Sequence, residues 1–248
     1  MAVNNKVVEP SRRKGARTTP LVEGLVKGGP SLSHLPAKAW GCKHEQDAVN
    51  AFKSQETVNH VNLSVEQAGL FVKGSLSYIG ATLDAVVRCE CHGSAPLECK
   101  CPYSVRDQTI QDSFKKTDFL EQAESGEMRL KRNHTYFYQI QAQIAVTDTK
   151  FGYFCVWTGN GPTFVEVIEA APEWWKKVEQ NLMFFFKAYV SQYLEGLRCS
   201  HTAQHIPRCV SKKMKSKGML NLVCVVIHAT FGYIGNVHYI QCALCLDT

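Results

Sequence analysis

Residues 151–158 read Phe-Gly-Tyr-Phe-Cys-Val-Trp-Thr, apolar at nearly every position. So short an apolar run predicts a strand buried on both faces, not the in-out alternation of a strand with one wet face. Helical patterns surround it. Trp40, His44, Ala48, Val49 and Phe52 recur at helical spacing, and no Pro or Gly interrupts residues 42–56. A second helix is expected over residues 134–146. Pro172 opens a long amphipathic helix to about residue 197, with Trp175, Val178, Leu182 and Phe185 on its apolar face, expected to pack across the sheet. Residues 69–73, 79–88 and 95–101 are β-rich, separated by turn formers, and expected in one sheet, with a shorter strand at 165–168. Residues 118–131 read as a hairpin turning at Glu124-Ser125-Gly126-Glu127. The class is α/β.

A chain of 248 residues suffices for one large domain of this kind. Frequent Gly and Pro mark residues 1–38 as a flexible basic arm, residues 39–198 hold the periodic patterns, and residues 199–248 form an irregular Cys-rich, apolar tail with no assigned role. The net charge of +6 permits a polyanionic partner without identifying one, since much of the excess lies in runs such as Arg12-Arg13-Lys14 and Lys212-Lys213, which read as solvated. The first twenty residues lack the apolar core of a secretory leader, so the eleven cysteines are expected as thiols and the protein inside the cell, nuclear or cytoplasmic. Residues 219–235 are barely long enough to span a bilayer and contain Asn221 and His228, so no membrane segment is expected.

The chemistry concentrates in Asp84 and in Leu97-Glu98-Cys99-Lys100-Cys101-Pro102. On a strand, Glu98 and Lys100 share one face while Cys99 and Cys101 take the other. A hairpin turning within residues 89–95 would lay Asp84 opposite Glu98. Two carboxylates and an ammonium then converge, a set suited to holding Mg²⁺ against a phosphate and activating water. Glu45 falls on the apolar-spaced face of the first helix, where a carboxylate is costly unless paired or on a metal.

These residues resemble the lambda exonuclease/YqaJ viral recombinase family of PD-(D/E)XK nucleases. The matching pattern comprises Trp40, Gly41 and Glu45; Asp84; Leu97, Glu98, Lys100, Cys101 and Pro102; Arg106 and Asp107; Tyr136, Gln139 and Gln141; and the aromatic strand at 151–158. The resemblance implies a PD-(D/E)XK restriction-endonuclease-like core, a central mixed sheet flanked by helices. It implies Mg²⁺ or Mn²⁺ on Asp84 and Glu98, with Glu45 toward a second ion, Lys100 acting on the water, and Gln139 at the active site. Arg106, Tyr136 and Gln141 would meet DNA. The activity implied is exonuclease digestion of double-stranded DNA from its ends, 5′ to 3′, in recombination or repair or in viral or transposon biology, by a homo-oligomer that can ring the duplex as a trimer. The family's Pro-Asp-Gly is here Leu83-Asp84-Ala85.

Two other readings compete. One is a catalytically weak or inactive DNA-binding protein that keeps the nuclease fold. The other is a zinc-stapled binding module, with Cys89, Cys91, Cys99 and Cys101 as four thiolates across the hairpin. Trp174, Trp175 and residues 184–186 fall on a helical apolar pattern and are expected as core or subunit contacts, not as platforms for stacked bases.

Overall fold

Helix α1 (Pro36–Glu56) starts earlier than its apolar spacing announced, because Pro36 occupies the first turn, where a missing N–H costs nothing. The computed structural model describes residues 34–194, with Val22, Gly24 and Leu25 and the backbone of Val225–Val226. Strands β1 (Ser64–Gln67), β2 (Leu70–Val72), β3 (Ile79–Thr82), β4 (Ala85–Cys89) and β5 (Gly93–Lys100) follow, then a one-turn helix α2 (Ile110–Ser113). The expected hairpin is β6 (Leu120–Gln122) with β7 (Met128–Leu130). Helix α3 (Thr135–Thr147), strands β8 (Phe151–Val156) and β9 (Phe164–Glu169), and helix α4 (Pro172–Phe185) complete the described core. Beyond Phe185 the helix widens into a π-type turn over Phe186–Val190.

The central sheet is five-stranded, in the order β1-β4-β5-β8-β9, and mixed: β5 and β8 run parallel and the other neighbours antiparallel. Strand β8 is covered on both faces, as its composition demands. Tyr153 and Cys155 join Ala48, Val49 and Phe52 of α1, while Phe154 and Val156 join Ile140 and Ile144 of α3. Helix α3 lies close to β8 because Gly152 has no side chain; a Cβ there would stand 2.9 Å from Ile140 Cδ1. The fold is therefore the expected α/β core, a mixed sheet between helices.

The segment 79–88 departs from the sequence expectation of one strand in one sheet. It breaks at Leu83-Asp84: β3 pairs with β2 in a separate small sheet, and β4 enters the central one. Helix α4 correspondingly packs Val178 and Leu182 against Ile79, Ala81 and Leu83, with Val86 of β4 and Val146 of α3 in the same cluster, so it covers the break between the two sheets. Of the arm, Val22 and Leu25 are buried with Phe185 and Val190. Of the tail, Val225–Val226 (β10) pairs in parallel with β3; the rest of both segments, including residues 219–235, lies outside the described residues. Among the described residues, no helix is long and apolar enough to cross a membrane.

Candidate active site

The β4–β5 hairpin brings the carboxylates together. Ala85 faces Leu97 and Cys89 faces Gly93, so the register carried one step on sets Asp84 beside Glu98. Ala95, Leu97 and Cys99 point to the α1 side of the sheet, which leaves Glu98 and Lys100 facing α3, as strand alternation requires. Asp84 is locked to the neighbouring strand by the Cys99 N–H, which donates to its Oδ2 at 2.7 Å.

Glu98 is almost fully buried and heavily hydrogen-bonded. Lys100 Nζ and Gln139 Nε2 (2.6 Å) both donate to its Oε1, and Gln143 Nε2 donates to Oε2 at 2.5 Å. The same Gln143 nitrogen reaches the Thr82 carbonyl at 2.7 Å, tying the end of β3 to Glu98. Helix geometry explains this set. Residues 139 and 143 are one turn apart and share a face, and Tyr136 lies on it too, its ring centroid 4.5 Å from Lys100 Nζ. Gln141 faces the other way: it donates to the Glu169 carbonyl at 2.7 Å and accepts from the Ala171 N–H at 2.8 Å, bracing the β9–α4 junction. Gln141 is thus buried with both ends of its amide committed to backbone, and Gln143, an amide of this helix to which the sequence assigned no role, bonds Glu98. Its signal was present in the i, i+4 spacing from Gln139.

The electrostatics are those of crowded acids. Burial, then the negative charge of Glu98, raises the Asp84 pKa well above the ordinary carboxylate value; Glu45 adds to the rise, and Lys100 and the Cys99 N–H only partly offset it. Burial and Glu98 likewise raise Glu45, against the pull of Lys100. Lys100 is itself buried, which opposes its charge, but Glu98, Tyr136 and Asp84 carry its pKa above the usual lysine value. Burial pushes Tyr136 up to about 12, despite Lys100.

Among the described residues, Glu45, Asp84 and Glu98 thus share the ammonium of Lys100. This donor set, all hard oxygens with unrelieved negative charge, fits a divalent cation such as Mg²⁺. The buried Oε1 atoms of Gln139 and Gln143 have no partner among the described residues, and waters carried by a hydrated ion would suit them.

Arg106 is held by its neighbours Tyr103 and Asp107 in the segment after β5. Its guanidinium stacks 4.1 Å from the Tyr103 ring centroid and donates to the Tyr103 carbonyl. Tyr103 in turn meets Trp40, which packs on His44, and His44 stacks on Trp157 beyond β8. Trp40 of the Trp-Gly motif therefore helps to seat α1, and with it Glu45, over the end of the sheet. The tetrathiolate does not form. Cys99 sits in the α1-side core and Cys101 Sγ meets the His44 carbonyl, while Cys89 lies at the far end of the hairpin, about 20 Å along β5.

A family model described as the YqaJ-like viral recombinase domain matches residues 13–150. Two solved structures of an alkaline exonuclease from Laribacter hongkongensis, LHK-Exo, are similar to the chain, one of them in complex with dAMP. Each has a TM-score of 0.55 and covers 80% of this chain and 92% of its own, with identities of 19% and 18%. At that identity the likeness speaks for the fold. No curated protein matches the chain.

Proposed function

Because the chain belongs to the YqaJ-like viral recombinase family, we propose that it is a metal-dependent DNA nuclease that hydrolyses phosphodiester bonds from the ends of duplex DNA, 5′ to 3′. The observation that carries this reading is the convergence of Asp84 and Glu98 on the β4–β5 hairpin with the Lys100 ammonium on Glu98, and with Glu45 close enough to feel both Glu98 and Lys100. The neighbours in fold, described as an alkaline exonuclease, support the same class of reaction.

Held by Asp84 and Glu98, with Glu45 toward a second ion, Mg²⁺ or Mn²⁺ would polarise the scissile phosphate and acidify a bound water. The protein's own groups prepare the site for it. Gln139 and Gln143 hold both Glu98 oxygens, so the carboxylate is fixed before substrate arrives and little reorganisation is left to the reaction. Lys100, hydrogen-bonded to Glu98 on the same strand face, is placed to orient the attacking water and to offset charge developing on the phosphate. Tyr136, over the Lys100 ammonium, shields that group from bulk water and strengthens its field. Arg106, stacked on Tyr103 and partly exposed, can meet a backbone phosphate at the edge of the site.

The test is incubation of the full chain with linear and with covalently closed circular duplex DNA, in Mg²⁺, in Mn²⁺ and in chelator. The expected result is loss of linear DNA only, only with metal, with a label at the 5′ end released first. Nicking of closed circles at a comparable rate would refute end dependence, and full activity in chelator would refute the metal.

A further inference from the structure

At the other end of the β4–β5 hairpin from the carboxylates, four side chains meet that the nuclease reading does not use. They are His60, from the loop after α1, and Cys89, Cys91 and His92, from the end of β4 and its turn. One ligand atom from each lies within 4.8 Å of all the others. The individual separations are Cys89 Sγ to Cys91 Sγ 3.4 Å, His60 Nδ1 to His92 Nδ1 3.2 Å, Cys91 Sγ to His60 Nδ1 3.5 Å, and Cys89 Sγ to His92 Nδ1 3.7 Å.

We propose that His60, Cys89, Cys91 and His92 form a structural Zn²⁺ site. With Zn–S near 2.3 Å and Zn–N near 2.0–2.1 Å, the edges of a tetrahedron would measure about 3.8 Å between sulfurs, about 3.3 Å between nitrogens and about 3.6 Å between sulfur and nitrogen. The observed edges match that figure within a few tenths of an ångström. Two thiolates and two imidazoles are a soft, borderline set that selects zinc over Mg²⁺, so this site and the carboxylate cluster would not compete for one ion. The surroundings agree. The His92 N–H points to Cys89 Sγ at 3.3 Å, and Glu56 Oε2 stands 3.7 Å from the outward Nε2 of His60, as a carboxylate behind a metal-bound imidazole would. Cys91 and His92 are exposed, so an ion can enter, and Cys89 and Cys91 are free thiols.

With four protein ligands the site is closed, which makes it structural rather than catalytic. It ties the C-terminal end of α1 to the hairpin turn, where the Glu90 N–H already bonds the Val61 carbonyl at 3.0 Å. The helix that carries Glu45 and the hairpin that carries Asp84 and Glu98 are thereby fixed to one another.

The full chain, purified without chelator, should contain about one zinc per molecule by mass spectrometry. Exchange for Co²⁺ should give thiolate-to-cobalt charge transfer and the absorption of a tetrahedral ion. Cys91→Ser and His92→Asn alter exposed ligands, which favours folded variants, and each should lose most of the zinc. Glu98→Gln should retain it. Chelator should lower the unfolding temperature of the parent but not of Cys91→Ser. Well under one equivalent of zinc in the parent with no cobalt spectrum, a Cys89–Cys91 disulfide in the purified protein, or zinc retained in both ligand variants would each overturn the assignment.

Discussion

Gln143→Met tests whether the α3 amides position the Glu98 carboxylate or merely fill the core. Methionine nearly preserves the volume of a fully buried side chain but removes both donated hydrogen bonds. One, to a carboxylate, is worth about 1.5–3 kcal/mol, and the other, to the Thr82 carbonyl, about 0.5–1.5 kcal/mol. A loss of about 3 kcal/mol follows, which for a chain of this size lowers the unfolding temperature by roughly 6–12 °C. Stability alone would not single out the site, so Gln141→Met is the control. It loses two bonds as well, to Glu169 and Ala171, and should be destabilised comparably. Only Gln143→Met frees Glu98, and its metal affinity or turnover should fall on the order of 10–100-fold, as for other residues that orient a metal ligand. Thermal unfolding and metal titration, by calorimetry or by rate against Mg²⁺ concentration, read both effects. Equal metal affinity in the parent and Gln143→Met, or an equal loss in both variants, would refute the positioning role.

Two further predictions concern charge. Glu98→Gln keeps the shape but removes a charged ligand, so metal affinity and turnover should both collapse, whereas Lys100→Ala should leave metal binding nearly intact and cost on the order of 10²–10³ in rate; unchanged turnover in both variants would remove the basis for the proposed chemistry. Burial and neighbouring acids raise Asp84 and Glu45, so the folded protein binds more protons than the unfolded chain between the ordinary carboxylate range and their raised values. In chelator, stability should therefore fall as pH rises through that window, and Mg²⁺ should restore it on the alkaline side, where the carboxylates are ionised. An unfolding temperature that rises with pH in chelator across that window would contradict the sign.

Elements whose side chains carry a period were legible in the sequence, and elements held by the backbone were not. Helix α3, strand β8 and the hairpin β6–β7 emerged near their observed bounds because burial on helical or strand faces writes a hydrophobic pattern. Strand β1, Ser-Val-Glu-Gln, passed unseen: it is a four-residue edge strand with Glu66 and Gln67 exposed, and its place depends on ladder bonds to β4 that any sequence can make. The same division holds for the sites. Strand alternation alone put Glu98 and Lys100 on one face, and an even spacing suggested Asp84 opposite Glu98. Gln141 was read by family pattern where helical phase would have chosen Gln143. His60 could not be read at all, because it lies 31 residues from Cys91 and reaches the cysteines only through the packing of α1 on the sheet.

The replacement of the family's proline and glycine around Asp84 raises the question of what bends the chain there. The bend is also a change of sheet, and it is secured from neighbouring backbone. The Leu83 N–H donates to the Gly69 carbonyl at 3.0 Å, and the Asp84 carbonyl accepts from the Ala68 N–H at 3.1 Å. A proline at 83 would have no N–H to offer for the first of these bonds. The Leu83 side chain is buried with Val178 and Leu182 of α4, and Ala85 is fully buried in the α1-side core, so packing on two sides fixes the positions that flank the aspartate. A glycine at 85 would weaken that strand by losing a packed methyl and adding backbone entropy. Where the family pattern uses conformational preference, this chain uses hydrogen bonds and burial, and the Cys99 N–H then holds the Asp84 carboxylate at 2.7 Å beside Glu98. The departure from the pattern therefore bears on how the bend is stabilised more than on where the Asp84 carboxylate stands.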